Sequence, residues 1–147
     1  MKRQDIKQLK DAAQAERLVG TLLARDAFSA IEPALLAKLV RHGALVELDK
    51  GEALIRETDA GAPEFYLLVE GALVVQSAGA FIARLDKPGD VAGEMAVLMS
   101  SKRSADVVAE SAVRAIAIPA KALAQPEFAA VAEALRGVML RDDWMKY

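Results

Sequence analysis

Three regimes of hydrophobic patterning follow one another along the chain. In residues 1–42, Ile6, Leu9, Ala13, Leu18, Leu22 and Leu23 recur at helix-like spacings with Lys, Arg, Asp and Gln between them. That is the signature of helix with one apolar stripe. The stretch DAFSAIEP around Phe28 interrupts it, and Pro33 suits the first turn of a further helix, PALLAKLVRH, which Gly43 ends. The middle of the chain changes period. Gly43, Gly51, Gly61, Gly71, Gly79 and Gly89 fall eight to ten residues apart, and between them lie ALVELD, EALIRE, EFYLLVE, ALVVQS and FIARL, with ADVVAE and VRAIAI further on. Short β-rich pieces with turn residues at such regular intervals predict an antiparallel sandwich or barrel. Val46 and Leu48 alternating with Glu47 and Asp49 fit a strand with one wet face. From Pro119 onward, Pro126, Phe128, Val131, Leu135, Val138 and Met139 restore helical spacing, although Gly137 weakens that helix by about 1 kcal/mol.

Composition narrows the chemistry. The 147 residues suit one domain with its own core. Apolar residues make up 54% but aromatics only 5%, so alanine and short aliphatics supply much of that count. Nineteen basic and 21 acidic residues give a net charge of −2, which argues against a duplex-binding protein. With no cysteine, disulfides, zinc thiolate sites and thiol catalysis are excluded. One histidine, His42, rules out multi-histidine metal sites. There is no apolar run of membrane-spanning length and no signal-peptide pattern after the basic start MKRQDIKQLK, so a cytoplasmic protein with no membrane partner is expected.

One segment breaks the strand rhythm: PGDVAGEMAVLMSSKRSADVVAES, residues 88–111. Gly93 to Met99 is too helix-prone for a strand, and a glycine opening a short helix exposes backbone N–H groups with no intrahelical partner, which makes an anion site. Arg103 follows a polar loop and starts a strand of small residues. From there its guanidinium can face back and offer a fork of donors to a phosphate. Glu94 beside a phosphate would be repulsive unless it accepts a hydrogen bond from a ligand hydroxyl while Arg103 compensates both anions. A ribose carrying a singly charged phosphate presents both groups within a few ångströms.

The run GEMAVLMSSKRSA, Gly93 to Ala105, resembles the phosphate-binding cassette of the cyclic nucleotide-binding domain family, which includes the catabolite activator protein and the regulatory subunits of cAMP-dependent protein kinase. The likeness extends over about residues 28–147 and takes in Gly51, Gly71, Gly89 and the FYLLVEG strand. It implies a mainly β fold: an eight-stranded antiparallel β-roll, or jelly-roll barrel, with N-terminal helices, a short phosphate-binding helix and C-terminal helices. It also implies that Glu94 binds the ribose 2′-hydroxyl and Arg103 the cyclic phosphate. Gly93, Met95 and Ala96 would add backbone contacts, and Ser104 and Ala105 would complete the ligand-binding set. Ala92, Lys102 and Thr58 depart from the family pattern, but none removes a group that contacts ligand. The purine cap is expected from the C-terminal helix, with Arg136, Met139 and Leu140 as candidates.

The expected organisation is an N-terminal helical extension, 1–27, and a cyclic nucleotide-binding domain, 28–147, with the roll over about 44–118 and helices over about 120–147. The implied function is a non-catalytic sensor for cAMP, with cGMP also compatible, no cofactor and no metal, whose C-terminal helices move on binding. No output module follows those helices, so the expected partner is a separate or attached effector, or a second copy of the chain through residues 1–25, with no nucleic acid bound directly. Two other classes compete. A degenerate roll serving as a dimerisation or scaffold module would give flat nucleotide titrations. A cupin-type enzyme would need metal ligands on the strands. The remaining singular residues have plain structural readings: His42 as a helix C-terminal residue, Lys2, Arg3, Lys7 and Lys10 as a solvated face, Asp142 and Asp143 as a helix end, and Trp144 and Tyr147 as packing anchors.

Overall fold

The structure is a computed structural model, and it describes residues 1–6, 17, 19–20, 31–56, 64–93 and 105–141. Among these are nine strands: β1 (Lys2–Asp5), β2 (Ala44–Leu48), β3 (Ala53–Ile55), β4 (Glu64–Glu70), β5 (Leu73–Ser77), β6 (Ala80–Leu85), β7 (Val91–Ala92), β8 (Asp106–Ala109) and β9 (Val113–Pro119). Helix α1 (Pro33–Arg41) precedes β2, and α2 (Ala120–Leu123), a 3-10 turn (Pro126–Phe128) and α3 (Ala129–Arg141) follow β9. The strands form a five-stranded sheet ordered β1-β2-β9-β4-β7 and a four-stranded sheet ordered β3-β8-β5-β6, antiparallel throughout. From β2 onward the chain changes sheet at every connection except the β5–β6 hairpin. This is an eight-stranded jelly roll, β2–β9, made of two packed sheets and not a closed barrel.

The alternation of side chains explains why β4 and β9 read as continuous apolar runs. Phe65 and Leu67 on β4, with Ile116 and Ile118 on β9, point to one core shared with Leu36, Leu39 and Phe128 of the helical segments. Tyr66, Leu68, Val113, Ala115 and Ala117 point the other way, into the layer between the sheets. Both faces of these two strands are therefore buried along most of their length. Five of the alanines line the inter-sheet layer, Ala92, Ala105, Ala109, Ala115 and Ala117.

Helix α1 forms as its sequence predicts. Pro33 sits in the first turn, and His42 is the C-cap, its N–H donating to the Leu39 carbonyl at 3.0 Å. Later in the chain Pro126 does not join the long helix. It holds Gln125 extended (ψ 137°) and opens a 3-10 turn, so α2 and α3 are separate.

The helical reading of the N-terminus needs correction at its first residues. Lys2–Asp5 is a strand, paired with β2 in the register Lys2↔Glu47, Arg3↔Val46, Gln4↔Leu45 and Asp5↔Ala44. The backbone ladder offered by the β2 edge outweighs local helix preference, which is weak in a short polar stretch. Arg17, Val19 and Gly20 have helical backbone; most of the rest of that predicted extension lies outside the described residues.

Candidate functional site

Several chain ends meet at one end of the roll. Strand β4 begins at Glu64, opposite Pro119, where β9 ends and the C-terminal helices begin. Strand β7 runs against β4 and stops at Ala92, paired with Tyr66. Strand β1 stops at Asp5, paired with Ala44 at the start of β2. In the other sheet β8 opens at Asp106, opposite Gln76. The chain thus leaves the five-stranded sheet after β7 and next joins the four-stranded sheet at β8.

Its two flanks are fixed. Gly93 is buried with φ +82°, a left-handed conformation that turns the chain out of β7 and that side chains other than hydrogen disfavour. Ala105 is 2% exposed and packs in the inter-sheet layer with Tyr66, Val75, Leu85 and Ala92. These are the first and last of the predicted ligand-binding residues. Glu94, Met95, Ala96, Arg103 and Ser104 lie outside the described residues, as do Thr58 and Lys102. Of the candidates for the purine cap, Arg136 is exposed on α3 and donates to Glu133 Oε1 at 3.0 Å; the side chains of Met139 and Leu140 are outside the described set, as are Asp142, Asp143, Trp144 and Tyr147.

A charged network that the sequence reading did not single out stands at the same end. Arg3 Nη1 and Nη2 donate to Glu64 Oε1 and Oε2 at 2.9 and 2.8 Å, and the Tyr66 hydroxyl donates to the same Oε1 at 2.7 Å. The bidentate hydrogen bond to Glu64 raises the Arg3 guanidinium above its ordinary pKa, against a smaller opposing effect of burial. Glu64 is nearly covered, its side chain 13% exposed, while Arg3 is half-exposed.

Among the described residues no three His, Cys, Asp or Glu side chains cluster to hold a metal ion, and no helix is long and apolar enough to cross a membrane. His42 is exposed and meets the buried ring of Phe128 edge-on, centroids 5.9 Å apart.

Residues 45–125 match the family model of the cyclic nucleotide-binding domain. The chain has no significant match among curated protein sequences. Among solved structures it is similar to the regulatory domain of Toxoplasma gondii PKA with cAMP, at a TM-score of 0.77 and 18% identity over 93% of this chain and 53% of that one. It is similar also to the regulatory subunit of a cAMP-independent protein kinase A from Trypanosoma brucei, at 0.74 and 20% over 87% of this chain and 48% of that one. A third is the N-terminal domain of a transcriptional regulator from Streptomyces coelicolor A3(2), at 0.68 and 24% over 86% of this chain and 98% of that one. The chain spans about half the length of the two kinase regulatory structures.

Proposed function

Because the chain belongs to the cyclic nucleotide-binding domain family, we propose that it is a sensor for cAMP, regulatory and not catalytic, acting in the cytoplasm. In this reading Glu94 accepts the ribose 2′-hydroxyl and Arg103 donates to the cyclic phosphate. Backbone amides after Gly93, at Met95 and Ala96, add donors at the start of the cassette helix, and Ser104 and Ala105 close the pocket. The observation that carries the reading is the family match across 45–125, which contains the whole cassette motif. The buried left-handed Gly93 and buried Ala105 support it, since they anchor the segment at the sheet crossing beside the C-terminal helices.

Binding energy at Glu94 and Arg103 draws the cassette inward, and the helices after Pro119 close over the base. The ligand shifts that equilibrium only by its difference in affinity between the two arrangements. The output passes to a separate or attached effector protein or to a second copy of the chain.

Calorimetric titration of cAMP and of cGMP into the wild type and Arg103→Leu tests the site. The wild type binds cAMP, and removing the charge partner of the phosphate costs about 2–5 kcal/mol, or about 30- to 5,000-fold in affinity. An affinity unchanged in Arg103→Leu overturns the assignment. The similarity to a regulatory subunit of a cAMP-independent kinase favours one second reading, a degenerate roll that does not respond to cAMP and serves as a dimerisation or scaffold module. Flat titrations with both nucleotides would select it.

A further inference from the structure

Strand β1 is an unusual edge. Its four residues, Lys2, Arg3, Gln4 and Asp5, are all polar and all exposed, so apolar burial does not hold it. It is held by the β2 ladder, by Ile6 behind it, which inserts into the helical core and donates its N–H to the Gly43 carbonyl at 3.1 Å, by the ion pair of the Met1 ammonium with Glu52, and by Arg3. The partner of Arg3 lies on neither of the next two strands. It is Glu64 of β4, with β2 and β9 between. The same Glu64 oxygen accepts the Tyr66 hydroxyl, and Tyr66 is 7% exposed and paired with Ala92, the last ladder position before Gly93. Hydrogen bonds and one strand pairing thus form an unbroken path from the N-terminal strand to the start of segment 94–104.

We infer that Arg3 and Glu64 are positioning residues for the nucleotide-binding cassette. Through Tyr66 they fix the end of β7, so docking of the N-terminal strand and occupancy of the nucleotide site are thermodynamically linked. The inference rests on the cassette reading above for its ligand, though not for its geometry. Linkage is reciprocal: bound nucleotide holds β1 down, and anything that draws residues 1–6 off the β2 edge weakens nucleotide binding by the same factor. The N-terminal strand is then a regulatory element of the nucleotide site.

The test uses the full chain and two readouts. By calorimetry, Arg3→Ala and Tyr66→Phe each weaken cAMP binding by about 3- to 5-fold, the scale of a half-exposed bidentate pair. The double variant is no weaker than the worse single, because both act on one path. Arg3→Lys recovers part of the loss. Arg84→Ala removes the similar bidentate pair with Glu110, past the far end of β8, and leaves affinity unchanged. Without nucleotide, hydrogen exchange at Val91–Gly93 speeds up in Arg3→Ala and not in Arg84→Ala. If the wild type binds no cyclic nucleotide, the proposed function fails and the exchange measurement alone decides the inference. Exchange at Val91–Gly93 that is the same in Arg3→Ala as in the wild type overturns it, as do additive losses or equal losses in the Arg3 and Arg84 variants.

Discussion

Tyr66 and Ala92 face each other across the β4–β7 ladder, and both side chains point into the layer between the sheets. A large residue here meets a small one. The family resemblance leads one to expect a bulky apolar residue before Gly-Glu, and this chain has Ala92 instead, with Tyr66 opposite it on β4. Ala92 is 1% exposed in the buried inter-sheet cluster, so the larger side chain of a leucine would have to enter that cluster. Ala92→Leu is expected to cost about 1–3 kcal/mol of stability through overpacking, read by urea denaturation. A variant as stable as the wild type would show that the pair is not close-packed.

The turn between β4 and β5 is constrained more tightly than its sequence suggests. Gly71 has φ +92°, and a Cβ built on it would lie 2.2 Å from the Ala112 carbonyl oxygen and 3.0 Å from Val113 Cα. The two turns are clasped together, with Ala72 N–H donating to Ser111 Oγ at 3.0 Å and Glu110 N–H to the Ala72 carbonyl at 2.9 Å. Gly51 has the same φ with nothing within 4 Å. Gly51→Ala should therefore cost only the left-handed strain, about 1–2 kcal/mol. Gly71→Ala should cost more by a further ~1–3 kcal/mol, since backbone must move. Equal midpoints for the two in denaturation would contradict the close approach.

Legibility in the sequence follows from where each element finds its energy. Strands β2 to β6 were readable because their apolar residues lie between turn glycines, β8 and β9 because ADVVAE and VRAIAI are short β-rich pieces in themselves, and α1 because Pro33 and Gly43 bracket a single stripe. Strand β1 was not, because it buries none of its own side chains and exists only against an edge some forty residues away in sequence. Strand β7 has two residues and is hidden in the cassette segment. The proposed cassette rests on chemistry alone, glycine, carboxylate and guanidinium at fixed spacing, and residues 94–104 lie outside the described set. The network of Arg3, Glu64 and Tyr66 joins residues 61 positions apart and becomes visible only once β1 is placed.

The helical flank is fastened to the sheet through Phe128. Its side chain is fully buried, at 0% exposure, in the core that also holds Leu36, Leu39, Phe65 and Ile118. Phe128→Ala is expected to cost about 3–5 kcal/mol, because the 3-10 turn cannot collapse onto the sheet to fill the space. His42 touches the same ring from the solvent side, and His42→Ala should cost no more than about 1.5 kcal/mol, the worth of an edge-on aromatic pair. Thermal melts of the two variants check the ranking, and a larger loss in His42→Ala would refute it.

Glu110 provides a pH signature remote from the proposed nucleotide site. Its carboxylate accepts Arg84 Nε at 3.0 Å and Nη2 at 2.8 Å, and this hydrogen-bonded pairing, with a smaller Coulombic contribution from Lys50, holds its pKa below the ordinary glutamate value. A depressed folded-state pKa means that the unfolded chain takes up the proton first as pH falls. The contribution to stability is therefore fully present above the unfolded glutamate pKa, about 4.3, and is lost as pH falls through the lower folded value. Carboxyl-carbon NMR should place the Glu110 midpoint below that of an unpaired glutamate, and Arg84→Gln should return it upward. Arg84→Gln should also flatten the dependence of stability on pH in this acidic window. Both groups are largely exposed, so added salt weakens the effect. A Glu110 midpoint that does not respond to Arg84→Gln would mean that the pair does not persist in solution.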